Sequence, residues 1–337
     1  MSHKVALIRG DGIGPEITDA TVRAVEATGA DIEWIEAEAG ASALVKHGAL
    51  LPDSTMEIIK GCQAVLKGPL ETPVGRGFRS ANVALRQALD LYANVRPART
   101  LPGVKTRYDN INMVVIRENT EGLYSGVEHW IPPKRSAAEA IAVVTRFGSE
   151  RLLRYAFEYA RKHGYTEVCV FHKANILKKS SGLFLEVAGE VAKDYPDVSL
   201  RDLIIDNACM QLVTRPEQFQ VIATTNLFGD IVSDLTAGLI GGLGLAPGAN
   251  LGENAGLFEA VHGTAPDIAG KGIANPTALM VGAVMMLGHL GLDQEASKMH
   301  KAILTVLERG DVRTGDLGGS ASTRQYTQAV IEQIKAS

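Results

Sequence analysis

The chain is poor in cysteine, has no surplus of basic residues and contains no apolar run long enough to cross a bilayer. Cys62, Cys169 and Cys209 are scattered without metal-ligand spacing, so we expect reduced core thiols in a cytosol-like compartment. A net charge of −4 argues against a broad nucleic-acid-binding surface, although it allows a local basic pocket for an acidic metabolite. The longest apolar stretch, residues 277–292, is too short for a membrane span and predicts a buried helix.

No targeting segment, low-complexity tract or internal repeat is evident in the sequence. The first residues, "MSHKVALIRG", enter a predicted strand almost at once, which leaves no room for a signal or transit peptide. We therefore expect a cytoplasmic protein without membrane or nucleic-acid partners. The alternative is a processed organelle form, which would place the protein in the mitochondrial matrix.

The chain instead shows a regular alternation of predicted strands and helices over 337 residues, a length that suggests two domains or one large one. Runs rich in Val and Ile, such as "FQVIATTN", alternate with amphipathic stretches such as "SERLLRYAFEYARKHG", which carries a start signal at Ser149 and a stop signal at Gly164. This alternation predicts an α/β protein, with ligands at the carboxyl edge of its sheet. A Pro-Pro pair interrupts the alternation and indicates an arm near residues 122–145.

The opening stretch "VALIRGDGIGPE" is similar to the start of a Rossmann dinucleotide-binding unit. That fingerprint requires the spacing G-x-G-x-x-G, whereas Gly10, Gly12 and Gly14 are spaced G-x-G-x-G and Pro15 follows directly. Glycine-rich turns between a strand and a helix are also common for steric reasons alone. Taken by itself, the stretch favours a structural turn over a nucleotide site.

Residues of types that bind anions gather in and after the stretch "RSANVALRQALDLYANVRPAR". Ser80 suits a helix N-cap, and Asn82 and Arg86 lie four apart on one face of the helix that follows. Arg96 precedes Pro97 in the next strand, and Arg117 ends the strand "NMVVIR". Each arginine alone is more often a surface charge, but three that converge can hold a di- or tricarboxylate by bidentate hydrogen bonds.

A second stretch, "NLFGDIVSDLTAGLIGGLGL", contains two acids four residues apart in apolar surroundings. Asp230 and Asp234 therefore share a helix face, where their like charges repel. A divalent ion such as Mg²⁺ or Mn²⁺ would relieve that repulsion, and Asp206 at the end of "DLIID" can supply a third oxygen ligand. The equally weighted alternative is an exposed helix start, where acids interact favourably with the helix dipole.

Two further side chains can transfer protons, and one long loop can bind a nucleotide. Lys173 follows a strand and can act as a base if its pKa is lowered, and Tyr124 can act as an acid. A solvated lysine and a packed tyrosine are the plainer interpretations. The loop "EAVHGTAPDIAGKGIANPTA" offers His262, Asp267 and Asn275 to a nucleotide, and ordered loops of this length usually serve a function.

Together, these stretches resemble the β-decarboxylating dehydrogenase family, which comprises isocitrate, isopropylmalate, homoisocitrate and tartrate dehydrogenases. The resemblance runs in order through "GDGIGPE", "LYANVRP", "IRENTEGLYSG", "HKANI", "NLFGDIVSDLTAGLIGGLGLAP" and "EAVHGTAPDIAGKGIANP", from about residue 4 to "DLGG" at 316–319. So many long motifs in one order are highly specific, whereas any single one of them is weak.

The resemblance implies the two-domain α/β/α fold of the isocitrate and isopropylmalate dehydrogenases rather than a Rossmann fold. Residues 1–95 and 242–337 would form the large, cofactor-side domain. Residues 96–241 would form the small domain, with the arm near 122–145 clasping a second subunit. The implied reaction is the metal-dependent oxidative decarboxylation of isocitrate to 2-oxoglutarate and CO₂, with reduction of NAD.

The resemblance also implies roles for individual residues. Tyr124 would protonate the enol carbon, and Lys173 of a partner subunit would help to remove the hydroxyl proton. A metal, Mg²⁺ or Mn²⁺, would act as a Lewis acid. Because Lys173 and Asp206 would come from the neighbouring subunit, the resemblance implies a homodimer with shared active sites. The substrate carboxylates would be held by Ser80, Asn82, Arg86, Arg96 and Arg117, the metal by Asp206, Asp230 and Asp234, and the cofactor by Ile13, Thr72, Asn175, Glu259, His262, Gly263, Ala265, Asp267, Ile268 and Asn275.

Two features point to isocitrate and NAD within the family. Ser80 and Asn82 match the isocitrate branch, where isopropylmalate enzymes carry apolar residues. An acid at Asp267 accepts from the adenosine 2′-hydroxyl and repels a 2′-phosphate, and NADP-using relatives have Lys-Tyr in place of Asp267–Ile268. Glu71 is a departure, since many relatives have Thr there. Homoisocitrate remains the main alternative substrate, and 3-isopropylmalate is a weaker one. A non-catalytic regulatory subunit is a further alternative, which ranks low because the candidate acid, base and metal ligands are all present.

Overall fold

The structure is a computed structural model that describes residues 2–71, 80–132 and 135–337. The strands within these residues are β1 (His3–Ile8), β2 (Ile32–Glu36), β3 (Ala64–Lys67), β4 (Ala93–Arg99), β5 (Asn112–Glu118), β6 (Glu128–Ile131), β7 (Ala137–Ala140), β8 (Glu167–His172), β9 (Ser199–Ile204), β10 (Val221–Thr224), β11 (Pro247–Leu251) and β12 (Gly256–Ala260). The helices are α1 (Gly14–Thr28), α2 (Ala41–His47), α3 (Asp53–Lys60), α4 (Ala81–Ala88), α5 (Arg146–Lys162), α6 (Ser180–Val191), α7 (Ile205–Thr214), α8 (Asn226–Leu239), α9 (Thr277–His289), α10 (Asp293–Arg309) and α11 (Thr323–Ala336).

Ten of these strands form one mixed sheet in the order β2-β1-β3-β12-β11-β4-β5-β10-β8-β9. The two ends of the sheet are parallel, but β11 runs antiparallel to β12 and β4, and β4 runs antiparallel to β5. This antiparallel centre distinguishes the sheet from the parallel sheet of a Rossmann fold. The predicted α/β class is confirmed.

The two faces of the sheet are covered differently. One face carries a single continuous apolar cluster that includes Val5, Val95 and Phe258, and helices α1, α5, α6, α9, α10 and α11 cover it. The other face carries two separate clusters, one at each end of the sheet. Between those two clusters, at the centre of the sheet, the buried side chains are polar, namely Lys67, Asn94, Arg96, Arg117, Asn250 and Glu259.

Strand alternation explains why this centre is polar on one face only. Successive residues of a strand point to opposite faces, so apolar Val95 and polar Arg96 lie back to back, as do Phe258 and Glu259. The sequence pattern of β4, β11 and β12 therefore places an apolar core on one side and a charged cleft on the other. The predicted division into residues 1–95 with 242–337 and residues 96–241 stays a prediction, and its boundary at 95/96 falls inside β4.

The opening glycine turn is tied to two other loops. Gly10 and Gly12 both have positive φ, and a Cβ at either position would lie within 2.3 Å of a carbonyl oxygen, that of Pro69 or of Thr264. Ile13 donates its N–H to the Thr264 carbonyl at 2.9 Å. The turn therefore needs glycine to approach the 259–275 loop closely. It joins β1 to α1, and Pro15 lies at the start of that helix.

The amphipathic stretch after the arm forms α5, but it begins earlier than predicted. The N-cap is Thr145, whose hydroxyl accepts from the Gly148 N–H at 2.9 Å, whereas Ser149 lies inside the first turn and donates to the Thr145 carbonyl. Thr145 is the better cap because its backbone is extended, as an N-cap requires. The predicted buried helix over 277–292 is confirmed as α9, which ends at His289.

Within the predicted arm, β6 and β7 form a separate two-stranded antiparallel sheet. All residues of both strands are exposed, and Trp130 and Ile131 are among them. Two short strands alone bury too little apolar surface to be stable in water, so this hairpin needs a covering surface. The three cysteines are free thiols; Cys169 is buried in β8, and the other two are partly buried. No helix in the described ranges is both long and apolar enough to cross a membrane.

Candidate active site

Three arginines converge on the polar centre of the sheet, each from a different element. Arg86 comes from α4, Arg96 from β4 and Arg117 from β5, and all three are buried. Burial and the charges of Arg117 and Arg86 lower the pKa of Arg96 to about 10, and burial followed by the charge of Arg86 lowers the pKa of Arg117. Buried cations that repel one another require an anionic partner, so this arrangement is suited to a polycarboxylate. The three arginines therefore do lie together, which was the condition for the predicted anion site; the site itself stays a prediction.

Helix α8 provides part of the negative charge that compensates these arginines. Arg117 donates to the Asn226 amide oxygen through Nε at 3.0 Å and Nη2 at 2.7 Å, and it pairs with the Asp230 carboxylate. Arg96 donates to the Ser233 hydroxyl at 2.5 Å and lies 3.6 Å from carboxylate oxygens of both Asp230 and Asp234. The helix therefore presents its acids to the arginine cluster rather than to solvent alone, which makes the plain helix-dipole explanation insufficient.

The two aspartates of α8 differ in electrostatic environment. Burial opposes ionisation of Asp230, but Arg117, the Tyr124 hydroxyl and Arg96 outweigh it and hold its pKa below the ordinary value. Burial raises the pKa of Asp234, and the charge of Asp230 adds to that effect against the opposing charge of Arg96. An added cation between the two carboxylates would favour the ionised form of both.

Tyr124 belongs to the same cluster. Its hydroxyl donates to Asp230 Oδ2 at 2.5 Å, and its ring lies under the Arg117 guanidinium at 5.1 Å. Burial, followed by the hydrogen bond to Asp230, raises the pKa of Tyr124. The phenol is therefore protonated at neutral pH and held in one orientation, as a general acid requires.

A buried ion network lies directly behind Arg86. Glu259 accepts from Lys67 Nζ at 2.8 Å, Arg86 Nη2 at 3.2 Å and Asn250 Nδ2 at 2.8 Å. Asn250 in turn accepts from Asn94 and Asn119. Burial opposes ionisation of Glu259, but Lys67, Arg86 and Asn250 outweigh it and hold its pKa well below the ordinary range. Glu259 thus orients Arg86. Its predicted role in binding the cofactor stays a prediction.

Three side chains of the cluster, Lys67, Asn226 and Ser233, had no individual role in the sequence-based prediction. Lys67 at the end of β3 and Asn226 just after β10 are polar residues at strand ends, the position where ligand-binding side chains collect. That signal indicated both residues as site candidates but gave neither a specific role. Ser233 carries no such signal, because only the fold of α8 against β4 brings its hydroxyl to Arg96.

A cavity of about 130 Å³ opens next to Arg86 and Arg96. Its lining includes three buried polar atoms that have no hydrogen-bond partner within the described part of the chain: Asn82 Oδ1, Arg96 Nε and His262 Nε2. Buried polar groups are normally satisfied, and a polar ligand in this cavity would provide the three missing hydrogen-bond partners. Ser80 stands at the N-cap position of α4, just before Asn82.

The predicted cofactor loop borders this cavity through His262 and Gly263. Burial lowers the pKa of His262, so its ring is neutral and can accept as well as donate hydrogen bonds. Ala265 has a φ of +40°, a strained conformation for a residue with a side chain. Asp267 is exposed, and Ile268 donates its N–H to the Ala265 carbonyl.

The remaining predicted cofactor residues lie in different places. Asn275 is buried at the start of α9, where its amide donates to Asp316 at 2.8 Å and its oxygen accepts from Thr277. Asn175 is exposed in the turn after β8, next to Lys173 and not in the lining of the 130 Å³ cavity. Thr72 lies outside the described residues.

Lys173 and Asp206 form an ion pair with each other, apart from the arginine cluster. The hydrogen bond to Lys173 lowers the pKa of the exposed Asp206 carboxyl. No group of three His, Cys, Asp or Glu side chains suited to a metal occurs in ranges 2–71, 80–132 and 135–337. Within one chain, therefore, Asp206 does not join Asp230 and Asp234, and the predicted three-ligand set is not assembled by a single protomer.

Comparison with known proteins agrees with this geometry. The family described as isocitrate/isopropylmalate dehydrogenase matches residues 4–334. A Dictyostelium discoideum relative, named as a regulatory subunit of the mitochondrial NAD isocitrate dehydrogenase, is 50% identical over 99% of this chain and 93% of its own length. A Thermus thermophilus relative named isocitrate/homoisocitrate dehydrogenase is 49% identical over the full length of both chains. The crystal structure of isocitrate dehydrogenase from Methylococcus capsulatus superimposes with a TM-score of 0.97 at 54% identity, over 99% of both chains.

These matches cover nearly the whole chain in both sequence and fold, and they identify one class of enzyme, the dehydrogenases. The chain belongs to the isocitrate/isopropylmalate dehydrogenase family. The resemblance inferred from the motifs is thereby confirmed, and so is the fold class that it implied.

Proposed function

We propose that this protein catalyses the oxidative decarboxylation of isocitrate to 2-oxoglutarate and CO₂, with NAD as oxidant. The observation that carries the proposal is the convergence of three buried arginines beside a cavity with orphaned polar atoms. Isocitrate has three carboxylates, and three guanidinium groups can neutralise them by charge-assisted hydrogen bonds. The name of the Dictyostelium relative supports both isocitrate and NAD.

In this proposal, the arginines and the α4 N-terminus bind the substrate. Arg86, Arg96 and Arg117 hold its carboxylates, and Ser80 and Asn82 provide polar contacts from the adjoining helix start. Glu259 and Lys67 act behind the site by fixing the guanidinium of Arg86. Because Glu259 and the side chains of α8 already hold the three guanidinium groups together, the cluster does not have to be assembled on binding.

Proton transfer in the proposal is divided between two residues. Lys173, paired with Asp206, takes part in removing the proton of the substrate hydroxyl as the alcohol is oxidised. After the carboxylate is lost as CO₂, Tyr124 gives its phenolic proton to the enol carbon. The raised pKa of Tyr124 favours the protonated phenol that this step needs.

A divalent ion, Mg²⁺ or Mn²⁺, fits the acids of α8. Asp230 and Asp234 present oxygen ligands on one helix face, and a cation between them would offset the repulsion from Asp230 that contributes, after burial, to the raised pKa of Asp234. With Asp206 of a second protomer, three carboxylates would hold the ion. When bound, the ion supplies Lewis-acid stabilisation of negative charge on the substrate oxygen, and NAD supplies the hydride acceptor.

We propose a homodimer whose two sites are shared, because Lys173 and Asp206 lie apart from the residues with which they would act. The surfaces available for such contact are apolar: Met210 of α7, Ile231 of α8 and Trp130 of the β6–β7 hairpin are more than half exposed. Where such groups form a contiguous patch, they mark an interaction surface. We place the dimer in the cytoplasm, with the mitochondrial matrix as the alternative that the Dictyostelium name supports.

A substrate panel tests the proposed function. Isocitrate, homoisocitrate, 3-isopropylmalate, malate and tartrate are each assayed with NAD and with NADP in the presence of Mg²⁺. We expect isocitrate with NAD to give the highest kcat/KM, because its third carboxylate meets polar groups at Ser80 and Asn82. A higher kcat/KM for 3-isopropylmalate would contradict the polar assignment of that region.

Homoisocitrate is the specific competitor, since the Thermus relative is named for both substrates. One methylene is worth only about 1–3 kcal/mol in a binding pocket. The ratio of the two kcat/KM values therefore decides between these substrates. A regulatory role, which the name of the Dictyostelium relative favours, is the other alternative, and it predicts no turnover of any pair by the purified chain alone.

A cofactor-switch variant tests the role of the loop. Asp267→Lys combined with Ile268→Tyr removes a carboxylate that would repel a 2′-phosphate and adds a cation that would attract it. We expect the NADP/NAD ratio of kcat/KM to rise by at least about tenfold, equivalent to about 1.4 kcal/mol. Asp109→Lys, an equal charge change at an exposed loop position, is the matched control. An unchanged ratio in the loop variant would refute the assignment of Asp267.

A further inference from the structure

A second and larger cavity, of about 440 Å³, lies on the opposite face of the central strands from the arginine cluster. Val95 and Pro97 of β4 form part of its floor, together with Ala249 of β11 and Phe258 of β12. Their strand neighbours, such as Arg96, point to the arginine side. Helices α5, α9 and α10 supply the walls, so this cavity is separate from the site proposed for substrate and cofactor.

The cavity combines an apolar floor with a polar rim. Side chains of β4, β11 and β12 make the floor apolar, those of α9 add apolar wall, and Tyr155 and Tyr159 of α5 add aromatic surface. Its volume lies within the range of about 300–1,000 Å³ that is typical of small-molecule sites. A largely apolar pocket with a few polar groups at its edge is the usual form of such a site.

The rim is positively charged although the chain as a whole carries −4. Arg99 and Lys162 line the cavity, and neither forms an ion pair with a carboxylate anywhere in the described ranges. Arg99 donates instead to the Tyr165 hydroxyl at 3.2 Å. The acid that lines the cavity is Asp293, so two cations face one anion.

Three histidines complete the rim, and their rings make no hydrogen bond to the part of the chain that the structure describes. His163 adjoins α5, His289 lies at the end of α9, and His300 lies on α10. Burial lowers the pKa of each, and the nearby cations add to this effect, so the rings are neutral at pH 7. Neutral imidazoles can donate to an anion as well as accept from a hydroxyl.

We propose that this cavity is a second ligand site, and that it binds a compact organic anion with an apolar or aromatic body. The apolar floor would cover the body of the ligand, and Arg99 and Lys162 would pair with its carboxylate or phosphate at the rim. The histidine rings would donate hydrogen bonds to the same anionic group. Charge complementarity distinguishes this occupant from a neutral hydrocarbon, which would leave Arg99 and Lys162 without a counter-charge.

The test uses anilinonaphthalene sulfonate, an aromatic anion that becomes fluorescent in apolar surroundings, on the full-length protein. Saturating isocitrate is present throughout to keep the probe from the arginine cluster. We expect saturable binding to the wild-type protein and weaker binding, by about tenfold or more, to the Arg99→Gln/Lys162→Gln variant. Arg23→Gln/Lys335→Gln removes the same charge from distant exposed positions and should bind as the wild type does.

Further measurements identify the chemical group of the ligand and control for misfolding of the variants. Val284→Trp should block the cavity without changing its charge, while isocitrate turnover reports an intact fold. Displacement of the probe by phenylacetate or by phenyl phosphate assigns the anion as carboxylate or phosphate. Equal affinity for the neutral N-phenylnaphthylamine, unchanged binding to Arg99→Gln/Lys162→Gln, or displacement by neither competitor would overturn the proposal.

Discussion

A heterodimer made from two inactive variants, Lys173→Met and Asp230→Asn, is expected to recover about half of the wild-type kcat, because one of its two shared sites is intact. That site combines the unchanged Asp230 cluster of one chain with the unchanged Lys173 of the other. The second site carries both changes and stays inactive. Each variant alone, as a homodimer, should show almost no turnover. Differently tagged chains are co-expressed, and the heterodimer is purified through both tags before assay.

The reciprocal heterodimer provides the matched control. A chain that carries both Lys173→Met and Asp230→Asn is paired with a wild-type chain, so the number of substitutions per dimer is the same. If sites are shared, each site then contains one change and the dimer is nearly inactive. If each chain has its own complete site, the wild-type chain retains about half of the activity, because that site is unaffected. The two heterodimers therefore give opposite results under the two hypotheses.

Replacing Lys67 by Met is expected to lower the free energy of unfolding by about 3–5 kcal/mol, since it leaves a buried carboxylate without its nearest cation. Lys67 and Glu259 are 2% and 8% exposed at their side chains, and Lys67 Nζ lies 2.8 Å from the Glu259 carboxylate. The measurement is urea unfolding followed by circular dichroism. We also expect a higher KM for isocitrate, because Glu259 would then be free to draw Arg86 away from its substrate-binding orientation.

A double variant separates the network from a simple packing defect. Adding Glu259→Gln to Lys67→Met removes the buried charge, so the double variant should be more stable than Lys67→Met alone. Lys46→Met breaks the exposed Lys46–Glu38 pair and serves as the surface control, for which we expect no measurable change. If the losses in the free energy of unfolding from Lys67→Met and Glu259→Gln simply add in the double variant, the unpaired charge of Glu259 is not the cause of the Lys67→Met effect.

The chemical character of the site was predictable from residue types and local spacing. Arg86, Arg96 and Arg117 were assigned to an anion, and Asp230 and Asp234 were placed on one helix face, because helix and strand periodicity determine such relations over short distances. The family motifs were equally readable, since each lies within a few consecutive residues. The class of fold followed from the alternation of strand and helix patterns.

Local patterns also have limits, as the helix after the arm shows. Ser149 has the residue type of an N-cap, but Thr145 is the cap. Thr145 has the extended backbone that an N-cap requires and directly precedes α5, whereas Ser149 lies within the helix. The opening glycines are a second example. Their spacing excluded a Rossmann fingerprint, yet only the approach to Thr264 shows why Gly12 must lack a side chain.

By itself, the sequence determined the α/β class, which depends on short-range patterns, and the family, through its resemblance over several long motifs. The same resemblance predicted the candidate ligand-binding residues. Tertiary structure alone decided that Lys67 and Glu259 support Arg86, that Ser233 meets Arg96, and that Lys173 pairs with Asp206 away from Asp230. It also placed a charged cleft and an apolar cavity back to back across β4. These relations join residues far apart in the chain, and the pairing of strands and the packing of helices on them set the distances between such residues.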